Sequence, residues 1–185
     1  KESWNLYLQK DSNSKWADEA RKNLEKISQM QNSLKTKEQV LDDFLTAFRN
    51  GDEKLAWKIH IETKGMFNAV SLGEQLTRRI LETQKISDEA ASKETLEALK
   101  LIGKLEREQN ADFFFAELAD FYQKLEPEKS DKLLEAKNLW LEGYKSIREG
   151  KYEKSIELFE QSKANFLKLG NETEANISEI WAAQM

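Results

Sequence analysis

The chain has 185 residues, with 29 Lys and Arg against 34 Asp and Glu, a formal charge of −5 and no cysteine. The missing cysteine excludes disulfides, thiol catalysis and cysteine-ligated zinc. The finely mixed, net acidic charge argues against DNA, RNA or an anionic membrane as the main partner, because nucleic-acid binders carry a basic patch. Apolar residues make up 39% and charged residues 34%, against about 45–50% and about 25% in ordinary domains. Such a chain has much surface and a thin core, as an elongated stack of helices would.

One Pro and 7 Gly are too few for a sheet protein of this length. In chain order, residues 3–9 read as the end of a helix carrying Trp4, Tyr7 and Leu8, and 10–15 as a polar turn with Asn13 or Ser14 as the next N-cap. Ala17, Ala20, Leu24, Ile27 and Met30 then fall three or four apart, on one helix face. Thr36, with Gln39 three residues on, has capping-box spacing and opens a helix with the stripe Val40, Leu41, Phe44, Leu45 and Phe48. Asn50-Gly51 ends that helix. Asp52 caps a short one through His60 to about Lys64, which Gly65 stops.

Residues 66–84 read as helical with Gly73 as an interruption, where Ser71 and Glu74 can mark a restart. Ser87 is expected to start the helix that holds Ala91, Leu96, Leu99, Ile102 and Leu105. Asn110 is expected to start another, with Phe114, Leu118, Phe121, Tyr122 and Leu125, terminated by Pro127. Ser130 or Asp131 should cap a helix with Leu133, Leu134, Trp140, Leu141, Tyr144 and Ile147 that ends at Gly150. A helix with Tyr152, Ile156, Phe159, Phe166 and Leu169 follows and ends at Gly170. Asn171, with Glu174 three on, caps the last. About ten helices with short loops, and no strand pattern, predict an all-α fold of antiparallel helical hairpins.

Gly51, Gly150 and Gly170 are each followed five residues later by a small residue: Ala56, Ser155 and Ala175. A glycine that closes one helix, and a small side chain that lets the next approach closely, are the mechanics of a hairpin repeat. From Leu139 to Leu169 the chain shows Gly143, Gly150, Tyr152, Ser155, Phe159 and Ser162. This stretch resembles a degenerate tetratricopeptide repeat, and residues 150–159 are closest to its second-helix signature. Glu142, Ser146 and Leu167 depart from the pattern. A one-residue shift would bring Trp140 and Ile147 into register instead.

Residues 12–20, Ser-Asn-Ser-Lys-Trp-Ala-Asp-Glu-Ala, resemble the turn and second helix of bacterial tetratricopeptide proteins. The order of the pieces at both ends is similar to the N-terminal helical region of large bacterial proteins that carry a CHAT caspase-like domain. The resemblance implies an irregular, tetratricopeptide-like α-solenoid as a single helical-repeat domain over 1–185. Its clearest unit is 131–169, with partial repeats at 2–32 and 171–185. It also implies a recognition role, since the His–Cys pair of the family's distant catalytic domain is absent. The start at Lys1 and the close within a helix at Trp181–Met185 suggest a piece of a longer protein.

His60 is the only histidine and lacks partners at catalytic or metal-ligand spacing, which favours a structural or surface role over a general base. Carboxylate pairs such as Asp42 with Asp43, or Glu117 with Asp120, read as solvated helix faces. No calcium loop, zinc helix or Gly-rich phosphate loop occurs, so no cofactor is expected, and no run of 18 apolar residues predicts a membrane span.

Phe113, Phe114 and Phe115 cannot all point one way, because each helical step turns about 100°. They are either a helix buried between neighbours or an exposed aromatic contact. The register of the resemblance puts Lys137, Trp140, Tyr144 and Arg148 on the concave, ligand-facing side of a helix. Trp, Tyr and Arg are the residues that dominate binding energies. The alternative is that Trp140 and Tyr144 are core, in one stripe with Leu133 and Ile147. Gly143, Gly150, Tyr152, Ser155 and Phe159 are the expected repeat-packing residues. The leading expectation is a non-catalytic scaffold that holds a peptide or partner domain in a helical groove. The alternative is a spacer or self-association module.

Overall fold

A computed structural model describes residues 2–33, 36–64 and 71–185, and the side chains of all of these but 2, 25–33 and 37. Ten α-helices occur among the described residues, with no strand. The chain divides into two compact units, Lys1–Gln39 and Val40–Met185.

In the first unit α1 (Glu2–Lys10) packs on α2 (Lys15–Ser33). Ser14 is the N-cap, its Oγ accepting from the Ala17 N–H at 3.3 Å. Ala17 and Ala20, the first positions of the expected stripe, are buried, and Trp16 stands exposed. The side chains of Ile27 and Met30 lie outside the described residues. The Thr36–Gln39 capping box is present in both directions, at 2.8 and 3.2 Å, and opens α3 (Lys37–Arg49).

The second unit continues α3 and adds α4 (Glu53–Lys64), α5 (Leu72–Lys85), α6 (Glu89–Asn110), α7 (Phe114–Gln123), α8 (Ser130–Arg148), α9 (Tyr152–Lys168) and α10 (Glu172–Ala183). A short 3-10 turn, Pro127–Lys129, leads into α8. Gly65 and residues 66–70 lie outside the described residues. Ser71 does restart the chain as the N-cap of α5, accepting from the Glu74 N–H at 3.3 Å.

Three helix ends share one turn. Gly51, Gly150 and Gly170 have φ of +68°, +72° and +79°, a region that side chains with a Cβ disfavour. The following N–H reaches back five residues, from Asp52 to Ala47, Lys151 to Ser146 and Asn171 to Phe166. These bonds satisfy carbonyls that the helix end would leave orphaned. The small residues five positions on, Ala56, Ser155 and Ala175, are all buried. Ser87 makes the same turn at φ +58°, with Asp88 bonded back to Thr83.

Other helix starts differ from expectation. Ser87 occupies the left-handed turn, so Asp88 is the N-cap of α6, bonded to Ala91. Asn110 ends α6 rather than starting α7, because its side chain is drawn back to Glu106 at 2.6 Å. Asp112 then accepts from the Phe114 N–H at the start of α7. Ser130 does not cap α8; its hydroxyl donates to Gln84 at 2.7 Å, tying α8 to α5.

Within this unit α5 packs on α6 and α8, α6 on α7, α8 on α9, α9 on α10, and α7 on α10. Gln84 meets Ser130 and Arg78 meets Asn138, so α5 and α8 run antiparallel. One continuous core joins Phe44, Leu76, Ile80, Leu99, Ile102, Leu118, Tyr122, Leu133 and Phe166. Each such side chain contributes about 1.5–3 kcal/mol on burial.

Candidate functional site

Helix α8 carries the four residues expected to face a ligand. Lys137 departs from that expectation, since it is only 1% exposed. Its Nζ donates to Glu74 Oε2 at 2.6 Å, to Thr77 Oγ1 at 2.8 Å and to Glu174 Oε1. Tyr122 donates its hydroxyl to Glu174 Oε2 at 2.8 Å, and Asn171 Nδ2 donates to the same oxygen at 2.6 Å. Arg78 lies 3.4 Å from the other oxygen of Glu74 and donates to Asn138. Helix α5, with Glu174 of α10, therefore closes over the Lys137 end of this face. A buried ammonium without partners would be too costly to retain.

The electrostatics fit a structural brace. Burial alone would lower the Lys137 pKa, but Glu174 and Glu74 outweigh it and hold it above the usual lysine range. Burial pushes the Glu74 carboxyl up, with Lys137 opposing and Glu174 adding to the rise. Burial, with the carboxylate of Glu174 beside it, also raises Tyr122 well above its usual value, so it stays a phenol that donates.

Farther along α8 the face opens. Trp140 and Tyr144 stack at 5.9 Å with 17° between their planes. Trp181 of α10 meets both edge-on, at 6.1 and 5.4 Å, and Phe159 of α9 lies 6.1 Å from Trp140. Phe159 is buried, while Trp140, Tyr144 and Trp181 are half-buried. The Trp140 Nε1–H is enclosed without a hydrogen-bond partner among the described residues. Arg148, exposed at the end of α8, forms no ion pair or hydrogen bond among the described residues.

The repeat-packing residues meet as neighbours, Tyr152 excepted. A Cβ on Gly143 would lie 2.9 Å from the Phe159 ring. The Ser155 hydroxyl donates to the Gly143 carbonyl at 2.9 Å, and Ser162 donates to Ala136 at 2.9 Å. Gly150 forms the turn between the two helices. Tyr152 stands exposed at the start of α9.

The phenylalanine run divides three ways. Phe115 is buried, with its ring against Gly73, where a Cβ would meet it at 2.3 Å. Phe114 is half-buried and edge-on to Phe115 at 5.0 Å. Phe113, at the N-cap of α7, is 55% exposed.

His60 is buried. Its Nε2 is 2.6 Å from Glu106 Oε1, which also accepts from Lys64 at 2.5 Å. Burial raises the Glu106 carboxyl, but bonds from Asn110, Lys64 and His60 outweigh it and hold the pKa down at about 2. Burial lowers the His60 pKa, and the attraction of Glu106 does not compensate. The imidazole is therefore neutral, with Nε2–H donating to the carboxylate and Nδ1 buried without a partner. Lys64, set between Glu106 and Asp112, leaves no place for a cation. Among the described residues no group of three or more His, Asp or Glu could hold a metal, and no helix is long and apolar enough to cross a membrane.

The depressed His60 pKa has a consequence for stability. The unfolded chain takes up a proton near pH 6.5, while the folded chain resists until lower pH. Stability is therefore full above that value and falls as pH drops toward the folded pKa, by up to about 1.4 kcal/mol per pH unit. Urea midpoints measured from pH 7.5 down to 5 should show this slope in the parent and lack it in His60→Gln. Equal slopes in both proteins would refute the assignment.

Sequence reasoning missed Trp181, Tyr122 and the second role of two glutamates. Glu74 and Glu174 were visible as capping partners of Ser71 and Asn171, and both also hold Lys137. Comparison with protein-family models, curated proteins and solved structures finds no match.

Proposed function

We propose that this chain is a non-catalytic interaction scaffold whose tetratricopeptide-like hairpins present one face of α8 and α10 to a peptide or partner domain. The observation that carries the reading is the half-exposed cluster of Trp140, Tyr144 and Trp181 with unpaired Arg148 beyond it. Aromatic and Arg anchors on a rigid base lose little entropy on binding. The base here is the Lys137 network, which ties α5, α7, α8 and α10 together. The close approach of Gly143 to Phe159, and the Ser155 bond to Gly143, support the repeat-like reading of residues 131–169. The buried titratable groups around Lys137 and His60 are engaged with one another, which supports holding helices together rather than reacting. Under this proposal the chain serves as the recognition part of a larger, CHAT-associated bacterial protein.

A panel of immobilised peptides tests it. Arg148→Glu should cut capture of the bound peptides about tenfold, or about 1.4 kcal/mol, with an unchanged melting temperature. Unchanged capture, or no peptide captured at all, would overturn the reading. A second reading, self-association, is favoured by the exposure of Phe113. It predicts an elution volume that shifts with concentration and becomes constant in Phe113→Ser.

A further inference from the structure

A different face of the second unit holds a groove of about 510 Å³, between α7 and the turn joining α9 to α10. Volumes of roughly 300–1,000 Å³ are typical of clefts that enclose side chains or small ligands. Phe121, Leu125 and Leu169 form an apolar floor, each partly buried and packed on the core. The rim carries Glu117, Asp120, Glu126 and Glu172, against Lys124 and Lys129.

These charges are not balanced. Lys129 is bonded to Glu126 at 2.8 Å, so that pair cancels. The side chains of Glu117, Asp120, Glu172 and Lys124 form no hydrogen bond or ion pair among the described residues. Three free carboxylates therefore face one free ammonium above an apolar floor. Two other helix contacts of the unit carry matched pairs, Glu94 with Arg49 and Glu53 with Lys104. The groove is mismatched on its own, and a cation from outside would balance it. An acidic segment would meet repulsion from the same three groups.

We infer that this groove docks a short segment of a partner protein in which an apolar side chain is flanked by Lys or Arg. The apolar group sits on Phe121, Leu125 and Leu169, and the cations pair with Glu117, Asp120 and Glu172. The inference rests on the scaffold reading but uses a surface separate from Arg148 and the Trp140 cluster.

Fluorescence anisotropy with three labelled peptides, each with a Leu-Phe centre flanked by Lys, Ser or Glu, tests the inference. The Lys peptide should bind about tenfold tighter than the Glu peptide in low salt, and the gap should close as screening rises. Asp120→Lys with Glu172→Lys should reverse the order, and Arg148→Glu should leave the Lys peptide's affinity unchanged. Both reversed residues are exposed, so circular dichroism should show an intact fold. Equal affinities for the three peptides, or failure of all three to bind, would overturn the inference. Loss of Lys-peptide binding in Arg148→Glu alone would overturn it too, while leaving the scaffold reading standing.

Discussion

Lys137→Met should destabilise the protein by about 3–5 kcal/mol, the usual cost of removing one partner from a buried ion cluster. The ammonium is held by Glu74, Glu174 and Thr77 and is shut off from water. Without it two buried carboxylates face each other with no cation between them, and Arg78 reaches only the outer oxygen of Glu74. Burial already pushes Glu74 toward its protonated form, and that tendency will grow in the variant. Stability of Lys137→Met should therefore recover partly as pH falls toward 5, because protonation removes the repulsion. Adding Glu74→Gln and Glu174→Gln should restore much of the loss, since neutral amides need no counter-charge. Urea unfolding measures all three effects. A loss below about 1 kcal/mol in the single variant would show that the network is solvated rather than enclosed.

Gly103→Ala should cost about 2 kcal/mol. Position 103 lies inside α6, where alanine would normally gain about 1 kcal/mol over glycine. A Cβ there would come within 2.8 Å of the N and Cα atoms of Ala116 in α7, which are backbone and cannot rotate away. Relief requires α6 and α7 to separate, and forced separation of packed elements costs about 1–3 kcal/mol, occasionally more. Gly143→Ala provides the contrast. Its added Cβ would meet the edge of the Phe159 ring, a side chain that can shift, so about 1 kcal/mol or less should be lost. Thermal denaturation of both variants checks the ranking. A Gly103→Ala protein as stable as the parent would show that the two helices are not in close contact.

The glycines inside helices show where the sequence misled. A helix interior disfavours glycine, so Gly73 read as an interruption, and Gly103 also lies inside a helix. Both are places where another segment comes close, the Phe115 ring at Gly73 and the α7 backbone at Gly103. Gly51, Gly150 and Gly170 were legible because their role is local: each sits at the end of an apolar stripe and must turn with positive φ. Ser87 escaped notice for the same reason in reverse. It makes the identical turn without the residue type that signals it.

The α8 face was legible in part. Four-residue spacing put Trp140, Tyr144 and Arg148 on one side of a helix, and the first two do stack there. Lys137, three residues before Trp140, falls on the same side but lies under α5. Its nearest acid in that helix, Glu74, is 63 residues away. His60 looked partnerless for a similar reason, with Glu106 lying 46 residues along the chain.

By itself the sequence determined that the chain is helical, where most helices stop, and that the small residues after the glycine turns let neighbouring helices close together. Those features follow from backbone geometry and from the 3.6-residue period, which act over a few residues. The tertiary structure alone decided which charges are buried, which aromatic rings remain half-open and where the acidic groove lies. Those depend on which distant helices become neighbours, and burial turns an ordinary lysine or histidine into a group whose partners govern stability.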